Sequence, residues 1–307
     1  MKRYVILLIL ISILLTGCFT VVPGQPQTDP NGGKTTKPTT EETRSNGWVK
    51  EAGKTYYLRE DGSRHVGWLE LDGKRYYLDN MGILQTGWLE LNGETYYFHA
   101  DGSAATGKIT IDNRAHYFTH TGAKIMVANP WNMIPSDYIP NIKDIEDGYA
   151  IDKSCKEPLE EMLAACREAD HGVAIVSGYR RNSTQITLYN RKVNYYLDQG
   201  LSPAEARKEA GKVVAMPGTS EHELGLAVDL VDNTYYGLDE AQENTDTQKW
   251  LMEHCWEYGF ILRYPNNKSD KTGIIYEPWH YRYVGKEVAK ELQKSGLCLE
   301  EYLENLS

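Results

Sequence analysis

A twenty-residue period governs residues 46–125 and restricts what this stretch can fold into. Gly47-Trp48, Gly67-Trp68 and Gly87-Trp88 recur in register. Eight positions after each Trp comes a tyrosine pair, Tyr56-Tyr57, Tyr76-Tyr77 and Tyr96-Tyr97, and Gly62, Gly82 and Gly102 close the units. A weaker fourth copy has Lys108 at the Trp position, His116-Tyr117 at the pair and Gly122 at its end. The alternating runs from Lys54 to Leu58, Lys74 to Leu78 and Glu94 to Phe98 are bounded by Gly, Asp and Asn, which is hairpin chemistry. One hairpin is marginal in water, so successive hairpins must stack and bury the rings between neighbours as a β-hairpin repeat solenoid.

The chain has 307 residues, 41% of them hydrophobic, enough for a further domain with a real core. A formal net charge of -10 argues against nucleic acid, where affinity comes from Lys and Arg neutralising phosphates. Lys2 and Arg3 precede an apolar run from Tyr4 to Leu15, too short to span a bilayer but suited to an export signal over residues 1–17. The following Leu15-Thr16-Gly17-Cys18 resembles the lipobox of bacterial lipoproteins, which implies cleavage before Cys18, lipidation of its thiol and anchoring to the membrane. Residues 18–45 are then the lipidated Cys and a flexible linker, rich in Thr, Pro and Gly with little to bury.

From about residue 126 the period stops. Pro158 with Leu159, Met162, Leu163 and Cys166 predicts an amphipathic helix, Gly172 to Ser177 a buried strand, and Ser202-Pro203-Ala204-Glu205 a capped helix start. Leu224 to Val231 and Gly273 to Tyr276 read as strands, Asp246 to Tyr258 and Lys286 to Leu306 as helices. The interleaving lacks a βαβ rhythm, so residues 126–307 are expected to form an α+β domain with a small mixed or antiparallel sheet. Cys155, Cys166, Cys255 and Cys298 are even in number for an oxidising compartment, leaving disulfides and buried free thiols both open.

Two segments of this domain carry chemistry. In Ser220-Glu221-His222-Glu223-Leu224-Gly225-Leu226-Ala227-Val228-Asp229 a turn at Gly225 brings an imidazole back toward a carboxylate, and Glu277-Pro278-Trp279-His280 adds a second His three residues after a Glu. Two His, one Asp and a nearby Glu are the parts of a hydrolytic zinc site with three protein ligands and one open position. A structural zinc would favour thiolates, and no Cys sits in a CxxC pair. Glu221 and Glu223, flanking His222 on an extended segment, are expected to be surface charge.

With Ser177-Gly178-Tyr179-Arg180 upstream, these segments closely resemble the VanY-type zinc D-alanyl-D-alanine carboxypeptidases, whose pattern is SGYR, SxHxxGxAxD and ExWH. The resemblance implies a Zn2+ site with ligands His222, Asp229 and His280, and Glu277 as the base for the attacking water and then the acid for the leaving amine. It further implies that Arg180 and Gln185 hold the substrate near its C-terminal carboxylate and scissile carbonyl, with Ser220 and Tyr264 at substrate positions. Trp279 is expected to pack beneath the ligands.

The GW, YY, G spacing in turn resembles choline-binding-type cell-wall-binding repeats. That resemblance implies wall-ligand contacts from Trp48, Tyr57, Trp68, Tyr77, Trp88 and Tyr97, which suit cation–π recognition of choline on teichoic acid or another wall polymer. Together the expectations describe an extracytoplasmic lipoprotein on the outer face of the membrane in a Gram-positive type of envelope. It would remove C-terminal D-alanine from peptidoglycan stem peptides. A peptidoglycan endopeptidase and a non-catalytic wall-binding scaffold or adhesin are the competing expectations.

Overall fold

In the computed structural model the described residues are 46–306; the expected signal, Cys18 and the linker lie outside them. Four antiparallel hairpins come first: β1 (Gly47–Glu51) with β2 (Lys54–Leu58), β3 (Gly67–Leu71) with β4 (Lys74–Leu78), β5 (Gly87–Leu91) with β6 (Glu94–Phe98), and β7 (Gly107–Ile111) with β8 (Arg114–Phe118). Each closes through a two-residue turn, Ala52-Gly53, Asp72-Gly73, Asn92-Gly93 or Asp112-Asn113, with both φ values positive. That is the turn whose twist matches paired strands, which explains the Asp, Asn and Gly bias. Backbone bonds step between hairpins, as from Leu84 N–H to the Thr55 carbonyl and from Ala104 N–H to the Arg75 carbonyl.

A short β9 (Lys124–Ile125) pairs with β8 and carries the chain into the second domain. Ile125 packs in an apolar cluster with Ile261, Val288, Leu292, Leu299 and Leu303. Thr121 Oγ1 donates to Glu287 at 3.0 Å, and His120 Nε2 lies 2.9 Å from the same carboxylate. The expected boundary at residue 126 is therefore a packed junction.

The second domain runs β10 (Ile142–Asp144), β11 (Ala150–Asp152), α1 (Lys153–Glu168), β12 (Val173–Ser177), α2 (Asn182–Asp198), α3 (Pro203–Val213), α4 (Glu221–Leu224), β13 (Ala227–Asp232), α5 (Asp246–His254), β14 (Phe260–Leu262), α6 (Ser269–Thr272), β15 (His280–Tyr283), α7 (Lys286–Ser295) and α8 (Leu299–Asn305). Its central sheet is antiparallel in the order β12-β13-β15-β14. Val228, Leu230 and Tyr281 point to the core formed with Leu159, Met162, Leu163 and Leu251 of α1 and α5. Alternation sends Asp229 and His280 to the opposite face.

Several expectations are corrected. α1 starts five residues before Pro158, because Asp152 caps it by accepting from Ser154 N–H. The stretch from Gly273 to Tyr276 is not a strand; α6 ends there at Gly273 in the left-handed conformation, and the strand follows at His280. Left-handed Gly296 splits the last helix into α7 and α8. All four cysteines are buried and free; burial pushes the Cys166 and Cys255 thiols up to about 12, so they stay protonated.

Candidate metal centre and active site

Strand register creates the site. Ser177 of β12 pairs with Asp229 of β13, and Asp229 pairs with His280 of β15, so three polar residues stand in one row across the sheet. The fourth group arrives on α4, a single helical turn that opens after Ser220 and ends at left-handed Gly225, φ 75°. A Cβ at Gly225 would lie 2.7 Å from Ile142 Cδ1 and 3.1 Å from the Asp152 nitrogen, so only glycine turns the chain here. The segment expected to be extended is thus helical through Leu224, and the strand begins at Ala227.

His222 Nδ1 lies 2.8 Å from the Gly178 carbonyl. A carbonyl can only accept, so the proton sits on Nδ1 and Nε2, 3.3 Å from Asp229 Oδ2, keeps an unprotonated lone pair that can bind a metal ion. His280 is turned the other way: Nδ1 lies 3.0 Å from Asp229 Oδ1, and Nε2 lies 3.6 Å from Glu221 Oε2. One donor atom from each of His222, Asp229 and His280 lies within 4.8 Å of the others. Zinc bonds of 2.0–2.1 Å in a tetrahedron need ligand atoms about 3.3 Å apart, so this donor set fits such an ion. Each ring also keeps its other nitrogen for an orienting acceptor, the arrangement ligand histidines require.

Burial pushes the His222 pKa down to about 4, with Arg180 adding to the effect, which leaves a neutral ring with a lone pair. Burial opposes charge on His280 too, but Asp229 and Glu221 lift it to about 9. Asp229 is held well below the usual carboxylate range: burial would raise it, and the two imidazoles outweigh that. Glu277 is the contrasting carboxyl. It is 8% exposed, lies 3.8 Å from His280 Nδ1, and among the described residues accepts no side-chain hydrogen bond. Burial drives it up to about 8; Asp229 adds, while His280 and Arg180 pull it back.

Arg180 follows the turn after β12. Its Nε donates to Ser177 Oγ at 3.0 Å and its Nη2 to Asp229 Oδ2 at 2.9 Å, with the side chain 21% exposed. The turn is tight because a Cβ at Gly178 would lie 2.5 Å from the Ala150 carbonyl oxygen. Gln185, expected to touch substrate, is fully buried and does not line the cleft: its Nε2 donates to the Ala215 carbonyl, and its Oε1 lies 3.4 Å from Arg180 Nη1. It supports Arg180 instead. Ser220, Tyr264 and Trp279 do line the cleft, about 500 Å³ in volume, together with Arg180, Glu277 and the three candidate ligands. Trp279, expected beneath the ligands, is a buried part of the cleft wall.

The residue that sequence reasoning missed is Glu221. Far from surface charge, it is fully buried; Oε1 accepts from Arg263 Nε at 2.8 Å and from Arg282 Nη1 at 2.6 Å. Burial alone would raise its pKa, but the two guanidiniums hold it below the usual range. Arg263 continues to Glu300 of α8, which also accepts from Asn129 Nδ2 at 3.0 Å. Glu223 is buried as well, accepting from Gly218 N–H at 2.9 Å and Asn182 Nδ2 at 2.7 Å. Ser220, an acidic residue next and Gly five positions on are the punctuation of a one-turn helix, and that signal could have predicted Glu221 turning inward.

In the solenoid the expected aromatic residues do come together. Trp48 lies 5.1 Å from Tyr57 and 5.0 Å from Tyr76; Trp68 lies 5.4 Å from Tyr77 and 5.0 Å from Tyr96; Trp88 lies 5.0 Å from Tyr97 and 5.1 Å from His116. The clusters differ in one respect. Arg75 sits 4.1 Å over the Trp68 ring and Lys124 4.8 Å over Trp88, whereas no such cation from the described residues covers Trp48.

A cleft floored by two imidazoles and one carboxylate, with a second, buried carboxyl beside them, defines a mononuclear metallohydrolase type of site on an antiparallel α+β scaffold. Residues 148–286 match the VanY family, described as D-alanyl-D-alanine carboxypeptidase; residues 85–131 match a choline-binding repeat, and residues 46–63 and 66–84 a putative cell wall binding repeat. The structure of VanYB in complex with D-alanine-D-alanine is 39% identical, with a TM-score of 0.55 over 59% of this chain and 97% of that one. A Zn(II) complex of a mutant vancomycin-resistance D,D-pentapeptidase VanY is 38% identical, with a TM-score of 0.53 over 58% of this chain and 97% of that one. A D-alanyl-D-alanine carboxypeptidase of Enterococcus faecalis is 38% identical over 179 residues, 58% of this chain and 65% of the relative, slightly under two thirds of its length. The chain belongs to the VanY family of D-alanyl-D-alanine carboxypeptidases, with choline-binding-type repeats on its N-terminal side.

Proposed function

We propose that this protein is a zinc carboxypeptidase that removes the terminal D-alanine of peptidoglycan stem peptides, held at the cell wall by its repeats. The observation that carries this reading is the convergence of His222, Asp229, His280 and Glu277 in one cleft. His222 Nε2, Asp229 and His280 Nδ1 would hold the ion. A zinc ion there supplies Lewis-acid activation of water and of the scissile carbonyl.

Glu277, as the carboxylate, would take a proton from the attacking water and deliver it to the departing amine, a role suited to a carboxyl that burial lifts from the ordinary range toward neutral pH, where it can both accept and give a proton. Arg180 offers a planar fork to the peptide's terminal carboxylate or to charge developing on the carbonyl oxygen. An exopeptidase needs such a clamp and an endopeptidase does not. Gln185 fixes the rotamer of Arg180, and Tyr264 and Ser220 shape the wall around the reacting end. Release of D-alanine from synthetic stem pentapeptide and tetrapeptide tests the activity and separates the two substrates. Absence of release from both, by protein that carries zinc, would leave a wall-binding scaffold.

The address is the second part of the proposal. Wall association rests on the repeats; choline recognition rests on the open Trp48 cluster; membrane anchoring rests on Cys18 in its lipobox-like context. Labelling cells with a clickable fatty acid should mark the wild type and not Cys18→Ala. Equal labelling would end the lipoprotein reading.

A further inference from the structure

The cleft does not end at the metal. Its lining runs along one face of α2 through Leu188, Arg191, Lys192 and Tyr195, which stand at the i, i+3, i+4 and i+7 positions of a single helical stripe. The stripe begins one turn after Gln185, the residue that props Arg180, and so runs outward from the reacting end. Across from it the lining is apolar, with Val213, Val214, Ala215, Ile274 and Ile275.

The charge along this stripe is one-sided. The two acidic groups that line the cleft, Asp229 and Glu277, both belong to the metal end. Arg191 and Lys192 form no ion pair or side-chain hydrogen bond with any described residue; Lys192 lies 5.2 Å from the Tyr195 ring centroid and 6.0 Å from that of Tyr196. Two uncompensated cations lining the cleft of a chain whose net charge is -10 form a local anion-attracting field.

Helix geometry supplies a ruler. Six residues separate Gln185 from Arg191, about 9 Å at 1.5 Å per residue, and an extended peptide covers that distance in about three residues at roughly 3.3 Å each. An exopeptidase keeps only one residue beyond the scissile bond, so whatever reaches Arg191 belongs to the part of the substrate before it.

We infer that Arg191 and Lys192 form an anionic subsite that selects peptides bearing a free carboxylate two to four residues before the scissile bond. This rests on the carboxypeptidase reading and adds the substrate class to it. An acidic side chain there meets the exposed Arg191 guanidinium and the half-buried Lys192 ammonium and gains through encounter and binding, leaving the chemical step alone. Amidation of that carboxylate removes the charge and turns the peptide into a poorer substrate through KM.

The test uses two peptides of identical sequence ending in D-Ala-D-Ala, one with a free side-chain carboxylate at the third position before the cut and one with its carboxamide. Zinc-loaded wild type should favour the acid by roughly fivefold in KM at low salt with kcat unchanged, and the preference should shrink in 0.5 M NaCl, a concentration chosen to screen exposed pairs. Arg191→Ala/Lys192→Ala should lose the preference while cleaving the amide as the wild type does. Equal KM for the two peptides in the wild type, or an acid preference that survives in the double variant, overturns the subsite. If neither peptide is cleaved, the carboxypeptidase reading fails separately. The subsite is then judged by calorimetric binding of the acid peptide, which should be tighter to the wild type than to the double variant; equal binding overturns it.

Discussion

His280 Nε2 and Glu221 Oε2 face each other at 3.6 Å, and among the described residues neither atom has a hydrogen-bond partner. The geometry leaves Nδ1 of His280 for the metal and assigns Nε2 to a carboxylate clamped by Arg263 and Arg282. Such orienting partners usually contribute a factor of about 10–100 in metal affinity. Glu221→Gln should therefore weaken zinc binding by about that factor, measured by competition with a chromophoric chelator. Glu300→Gln breaks the same charge network one step further out without touching His280. It should lower thermal stability, since a buried pair loses a partner, and leave zinc affinity nearly unchanged. Equal loss of zinc affinity in both variants would mean that Glu221 acts through the fold and not through His280.

Gly225 joins the two halves of the first ligand segment with φ at 75° and with Ile142 and Asp152 against the place a Cβ would fill. Gly225→Ala should cost about 2 kcal/mol or more in stability, from left-handed strain and overpacking together. Because the turn sets His222 relative to Asp229, zinc affinity should fall with it. A variant as stable as the wild type in chemical denaturation would contradict the turn's role.

The solenoid offers a prediction that separates its clusters. With Arg75 over Trp68 and Lys124 over Trp88, the Trp48 cluster is the one on whose indole no cation from the described residues sits. If the wall ligand is a quaternary ammonium, Trp48→Ala should abolish retention on a choline-like resin, while Trp68→Ala weakens it less. Retention unaffected by Trp48→Ala would move the ligand elsewhere, and failure of the wild type to bind the resin while it sediments with purified walls would discard choline but keep the module.

What the sequence disclosed depended on how local the determinant was. The second strand of each of the first three hairpins was readable to the residue, from Lys54 to Leu58 onward, because period and turn chemistry lie within twenty positions. The candidate site was legible because His222, Asp229 and Glu277 to His280 occupy two short segments, although their meeting depends on the register of β13 against β15, which no spacing reveals. Glu221 was misread because one helical turn is too short to show periodicity, and its partners Arg263, Arg282 and Glu300 are contributed by distant elements. Gln185 was placed against substrate by the resemblance alone, and nothing local in the sequence shows that its side chain is buried against the Ala215 carbonyl, a partner thirty residues away.

The central claim is a division of labour between residues that hold zinc and a carboxyl that moves protons. Zinc content by atomic absorption, measured beside D-alanine release from a stem peptide, tests it on Glu277→Gln and His280→Ala together. His280→Ala should lose zinc and activity in parallel. Glu277→Gln keeps all three donors, so it should retain zinc while turnover falls by about a hundredfold or more. Loss of zinc from Glu277→Gln would make Glu277 part of the metal site and not the base, and full activity with zinc bound would contradict the mechanism outright.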